Sequence, residues 1–210
     1  STVAYRIDGK PSSALEGSIF VAGVAIQWLR DQLGLIEHAA DTAEAFARTQ
    51  GETHGVYVVP AFTGLGAPYW QPQARGLITG LTLDSDKDHL ITAFLQSVAY
   101  QTRTLLDAMA ADGAPVTTLR VDGGMVVNEA FCQFLCDVLD VPVQRPADVE
   151  TTVRGAGVLA AIGAGLFADL QEAAALWRLG ADFVPTMPMA KRQALLAGYA
   201  RAVAQTLTVT

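Results

Sequence analysis

Two pairs of residues in this chain share one arrangement: a glycine, three residues, then an amide. In LRVDGGMVVNEAF, residues 119–131, an apolar run with strand character stops at Asp122, Gly123 and Gly124, and Asn128 follows Gly124 by four positions. In VAGVAIQWL the pair is Gly23 and Gln27. Four positions make one helical turn, so each amide is predicted to stand above its glycine on one helix face. A glycine without Cβ lets a ligand approach the backbone. An amide both donates and accepts, which suits a ribose or an adenine edge. Each pair also has a plain structural reading: Gly124 as a tight strand–helix turn with Asn128 solvated, and Gly23 as a close-packing helix glycine. Two copies on different helices favour two lips of one cleft.

Other phosphate-binding devices are missing around these glycines. No lysine follows as in a Walker A loop, and no third glycine as in a dinucleotide fingerprint. GAGVLA, residues 155–160, formally matches G-x-G-x-x-A, but a charged loop separates it from the strand before it. It reads as a small-residue helix packed closely against the sheet. The loop FTGLGAPYWQPQARG, residues 62–76, could bury a substrate or fold back on itself, and its Arg75 could hold a phosphate or cap the loop. No Ser–His–Asp arrangement stands out, so no catalytic residue is assigned. Cys132, Cys136, His38, His54 and His89 make a poor metal set, so no metal ligand is assigned either. The cysteines, four apart on one helix face, read as reduced core thiols; His54 and His89 read as surface or helix-terminus residues.

The elements that must position these groups follow from periodicity. Residues 2–20 form two strand-like runs about Asp8-Gly9, a β-hairpin signal. Residues 22–35 carry apolar positions at helical spacing up to Gly34. Residues 41–50 suggest a short helix capped by Asp41 or Thr42. GVYVVPAF is a strand, and the segment from Asp86 to Gly113 is the longest amphipathic helix. A strand at 118–121, a helix at 127–139, a strand at 141–145 and helices at 152–165, 168–176 and 188–207 complete the order. Alternating strands and helices predict one α/β domain over residues 1–210.

With 210 residues, 51% of them hydrophobic, the chain can bury a core. A formal charge of −7 argues against binding nucleic acid through a basic surface. No stretch reads as a signal peptide or a membrane span, which makes a soluble cytoplasmic protein the default. The start at Ser1, directly in an alternating apolar pattern, gives the expectation of a chain cut from something longer.

The stretches ALEGSIFVAGVAIQWLRD, GVYVVPAFTGLGAPYWQPQARG, SVAYQTR and LRVDGGMVVNEAFCQFLCDVLDVPVQRP together resemble the FGGY family of carbohydrate kinases, in the form found in its glycerol kinases, from about Ala14 to at least Gly165. GLITGLTLDSDKDHLITAFLQ is similar to the second signature of that family, with Phe94 in place of a smaller residue, a departure that touches packing. The resemblance implies a ribonuclease H-like fold of the actin/hexokinase/Hsp70 ATPase type, with a mixed sheet, flanking helices and an N-terminal β-hairpin. It implies that two such domains close on ATP, that this chain is the C-terminal one, and that Gly23, Gln27, Gly124 and Asn128 touch the nucleotide. The implied reaction moves the γ-phosphate of Mg2+-ATP to glycerol, giving glycerol 3-phosphate. Mg2+ would be held mainly through the phosphates and the other half. The catalytic aspartate and the glycerol-binding residues belong mainly to an N-terminal half that no stretch here matches. The isolated chain is therefore expected to bind nucleotide weakly and to phosphorylate nothing. The resemblance further implies a homo-oligomer, dimer or tetramer, in the parent. Another polyol or sugar kinase of the family, and a non-catalytic actin-like nucleotide module, are the alternatives.

Overall fold

The computed structural model describes residues 2–7 and 9–208, and sorts the chain into two compact units. One comprises Ser1–Val116 with Met187–Thr210, the other Thr117–Thr186.

In the first unit, strands β1 (Thr2–Ile7) and β2 (Lys10–Ala14) form the antiparallel hairpin the sequence announces. Its Asp8 lies outside the described residues, and Gly9 has φ +76°. Helix α1 (Gly23–Asp31) buries Ala25, Ile26 and Leu29. Trp28 on the same helix meets Phe62 at 4.8 Å and Phe94 at 5.7 Å between ring centroids. Phe94 is thus a packing residue, 1% exposed.

Helix α2 (Asp41–Thr49) is where a predicted cap fails. Its N-cap is Ala40, without a side-chain bond. Asp41 Oδ2 instead accepts the N–H groups of Glu37 and His38 upstream, both at 2.9 Å, and Thr42 Oγ1 donates to Ala39 O. Both side chains stabilise the entry turn rather than the first helical turn. Strand β3 (Tyr57–Val59) pairs antiparallel with β4 (Leu77–Thr79), a strand too short for periodicity to reveal.

Helix α3 (Lys87–Ala111) opens with a capping box: Asp86 Oδ1 accepts from the N–H groups of Asp88 (2.9 Å) and His89 (3.0 Å). The Asp86 N–H donates back to His89 Nδ1, so a histidine takes the place Glu or Gln holds in the usual box. His89 is a helix-terminus residue, with the His54 ring 4.5 Å away. Arg48 fastens α2 to the start of α3 through a two-pronged contact with Asp88, at 2.6 and 2.9 Å. Buried Gln96 donates to Gly51 O at 2.6 Å and accepts from the Tyr100 hydroxyl at 3.2 Å. Helix α7 (Met189–Thr208) closes the unit, Tyr199 stacking on Tyr100 at 5.0 Å.

In the second unit, β5 (Leu119–Arg120) runs parallel to β6 (Val143–Pro146), and β6 runs antiparallel to β7 (Leu179–Phe183), giving a mixed sheet. β7 is a strand the sequence reading missed. Helix α4 (Glu129–Leu139) supplies the core with Phe131, Cys132, Phe134, Leu135, Cys136, Val138 and Leu139. Burying each of its large apolar side chains contributes about 1.5–3 kcal/mol. Asp137 on α4 is tied to Thr186, accepting its backbone N–H at 2.6 Å.

Helix α5 (Thr151–Gly163) and the short α6 (Leu170–Ala174) complete the unit. The expectation that α5 packs closely against the sheet is overturned. None of its residues is buried, a Cβ added to Gly155, Gly157 or Gly163 would meet nothing within 4 Å, and Val153 is 71% exposed. Small residues permit close packing without causing it.

Candidate functional site

The chain emerges from β5 held to the neighbouring strand by Val121 N–H to Gln144 O at 3.0 Å, then to the loop beyond that strand by Gly123 N–H to Val149 O at 3.1 Å. Gly123 has φ +87° and ψ 179°, a region that only glycine occupies without strain. At Gly124 the backbone is exposed, and a Cβ there would also meet nothing within 4 Å. The turn is open where a Cβ of Gly124 would stand.

Beyond Gly123 the chain does not form the helical turn that the spacing predicts. Gly124–Val127 form a 3₁₀ turn, and Asn128, with φ −75° and ψ 104°, is the extended N-cap of α4. Gly124 and Asn128 therefore do not share one face of one helix. Asn128 Oδ1 accepts the Phe131 N–H at 3.0 Å, satisfying one of the donors a helix start leaves free. Its Nδ2 is covered and has no hydrogen-bond partner in the structure. Exchanging the two amide atoms would set an NH2 group against the Phe131 N–H, so the cap itself fixes the amide orientation. A covered donor without a partner costs about 1–3 kcal/mol. What Asn128 has left to offer is donation through Nδ2.

The second pair meets its prediction locally. Gly23 is the first residue of α1 and Gln27 lies one turn on, with an exposed side chain. No side chain caps this helix start and no acidic residue sits in its first turn, which leaves its free N–H groups and partial positive charge uncompensated. Gly23 and Gln27 belong to the first unit, Gly124 and Asn128 to the second.

The other sequence candidates take structural roles. Arg75 Nη1 donates to the carbonyls of Pro72, Gln73 and Ala74 at 2.9–3.2 Å, so this guanidinium ties its own loop together. Asp122 accepts the Thr151 hydroxyl and links the glycine turn to the start of α5. Cys132 and Cys136 are reduced and buried. Burial pushes each thiol up to about 11, too high to furnish a thiolate near neutral pH. Among the described residues, no group of three or more His, Cys, Asp or Glu side chains converges as a cation site. None of the helices described is long and apolar enough to cross a membrane.

Comparison with known proteins gives this geometry a context. The model of the FGGY family of carbohydrate kinases, C-terminal domain, matches residues 2–164. The chain is 55% identical over 203 residues to glycerol kinase 1 of Pseudomonas aeruginosa, covering 97% of this chain and 41% of that one. It is 56% identical over 206 residues to a glycerol kinase of Alcanivorax borkumensis, covering 98% and 41%. The crystal structure of Plasmodium falciparum glycerol kinase with ADP superposes with a TM-score of 0.87 at 34% identity, covering 98% of this chain and 41% of that one. The chain thus spans about two fifths of the length of the relatives it matches.

Proposed function

The chain belongs to the FGGY family of carbohydrate kinases, as its C-terminal domain with the actin-like ATPase fold, and from that membership we propose that it is the ATP-side domain of a glycerol kinase. The observation that carries the proposal is the identity of 55% over 97% of the chain with a glycerol kinase, supported by the ADP in the P. falciparum structure of the same fold. The reaction transfers the γ-phosphate of ATP to a hydroxyl of glycerol, giving glycerol 3-phosphate.

In such a transfer the protein mainly positions the reactants and stabilises charge. In our reading Gly124 offers bare backbone to the nucleotide, and Asn128 donates through Nδ2 to a nucleotide acceptor while Oδ1 stays on the helix. Gly23 and Gln27 are nucleotide contacts of α1 in the same reading, with the α1 N-terminus favouring negative charge. Mg2+, which neutralises phosphate charge in this chemistry, would be held mainly by the phosphates and by the N-terminal half of the whole protein. The whole enzyme, in this proposal, also carries the glycerol-binding and catalytic groups, works as a homo-oligomer in the cytoplasm, and loses activity when reduced to these 210 residues.

The test compares a full-length protein carrying this chain with the isolated chain, using ATP and glycerol. Glycerol-dependent ADP release by the full-length protein alone is the expected result. Release by the isolated chain would sink the division of labour, and no release by either would sink the substrate. Gly124→Val in the full-length protein should raise the KM for ATP by about tenfold or more and leave that for glycerol nearly unchanged. Unchanged ATP kinetics would remove Gly124 from the nucleotide site.

A further inference from the structure

We propose that Arg145 is the positioning residue of the nucleotide-facing turn, a role that rests on the reading of Gly124 and Asn128 given above. Arg145 lies on β6, and its side chain is 16% exposed. Nη1 donates to Val126 O at 2.9 Å and reaches Val127 O at 3.4 Å, and Nη2 donates to Glu129 Oε1 at 3.0 Å. The guanidinium carbon stands 6.0 Å from the centre of the Phe183 ring on β7. One planar group therefore spans the last two residues of the 3₁₀ turn and the first residue of α4.

The need for this clasp comes from the local backbone. Asn128 is extended between two helical segments, so the peptide chain changes direction there. Apart from the turn's own bonds, the contacts seen at the Val126 and Val127 carbonyls come from Arg145 and from the weakly donating Cys132 thiol, which reaches Val126 O at 3.2 Å. A guanidinium presents several donors in a rigid fork and keeps its charge, which a lysine ammonium cannot reproduce at two carbonyls and a carboxylate together. Arg145 sets where Gly124 and the Asn128 amide stand without being a contact of the nucleotide itself. β6 is the middle strand of its sheet, so the turn is referenced to the most constrained strand of the unit.

The experiment uses the full-length protein carrying this chain, with Arg145→Gln, Arg145→Lys, Glu129→Ala and Gly124→Val measured side by side. Arg145→Gln should raise the KM for ATP about five- to tenfold, with kcat and the KM for glycerol within about twofold. Backbone amides of residues 126–131 should exchange hydrogen faster in the same variant. Arg145→Lys should fall between it and the parent. Glu129 is 71% exposed, and Glu129→Ala leaves both carbonyl contacts, so its KM for ATP should rise less than that of Arg145→Gln. A folded Arg145→Gln protein whose KM for ATP stays within twofold of the parent overturns the proposal. If Arg145→Gln does not fold, Arg145→Lys carries the same comparison, and a parental KM for ATP there overturns it equally. The reading beneath it fails separately: Gly124→Val would then leave ATP kinetics unchanged, whatever Arg145 does.

Discussion

Asn128 Oδ1 accepts the backbone N–H of Phe131 at 3.0 Å, while Nδ2 on the same amide meets no acceptor. One end of this side chain holds a helix, and the other is unspent. Replacement can separate the two ends. Serine is a good N-cap and lacks the amide nitrogen, so Asn128→Ser should be as stable as the parent or up to about 1–3 kcal/mol more stable, the unpaired donor being gone. Asn128→Ala should be about 1 kcal/mol less stable than Asn128→Ser. Both should weaken ATP binding to a similar degree, read by calorimetry beside urea denaturation. Retained ATP affinity in Asn128→Ser would assign the residue to the cap alone.

Gly123 and Gly124 are adjacent and should respond in opposite ways. Gly123 sits at φ +87°, so Gly123→Ala should destabilise the protein by about 1–3 kcal/mol. At Gly124 a Cβ meets open space, so Gly124→Ala should change stability by no more than about 0.5 kcal/mol. Any loss of nucleotide affinity in Gly124→Ala then reports the ligand and not the fold. Thermal denaturation of the two variants with and without ADP checks both halves.

The Asp86 cap predicts an acid-side dependence. The N–H groups of His89 and Asp88 hold the Asp86 carboxyl below its ordinary value of 3.8. A depressed carboxyl pKa stabilises the fold above the ordinary value, and that contribution is lost as pH falls through the lowered one. Asp86→Ala should cost about 1 kcal/mol at neutral pH. Asp86→Asn should keep most of the cap and flatten stability below pH 4, measured as urea midpoints between pH 2.5 and 7.

The buried thiols predict an alkaline dependence of opposite sign. Burial pushes Cys132 and Cys136 from an ordinary 9.0 up to about 11. The folded state therefore favours the protonated thiols. Their contribution is complete below about pH 9, declines as the unfolded chain ionises, and is gone above about pH 11. Tyrosines of an unfolded chain ionise in the same range, so the informative quantity is a difference. The double variant Cys132→Ala/Cys136→Ala should show a shallower fall in stability from pH 9 to 11 than the parent, and an equal slope would refute the assignment.

Helices with a clear apolar period were legible in the sequence. α1, α2, α3 and α7 were found within a few residues, because burial of one stripe dictates the 3.6-residue repeat. β7 was not found, since LGADF has neither alternation nor β-branched residues and is mostly exposed, and it owes its form to pairing with β6. The error between Gly124 and Asn128 had a readable cause. An Asn directly before Glu129 is a helix-start signal, and giving it more weight would have put the helix boundary at 129 and split the supposed single turn. Arg145 was beyond reach of the sequence, because a residue on one strand clasping a turn 18 or 19 positions earlier leaves no local pattern.

The first unit is built from two separated stretches, Ser1–Val116 and Met187–Thr210, with the second unit between them in the chain. This has a consequence for synthesis on the ribosome. Chains emerge N-terminal end first, at roughly 5–20 residues per second. The 117–186 stretch is therefore translated in full before α7, whose Tyr199 stacks on Tyr100, has been made. The earlier unit, begun first, waits with one side of its aromatic core uncovered until α7 has been made and released.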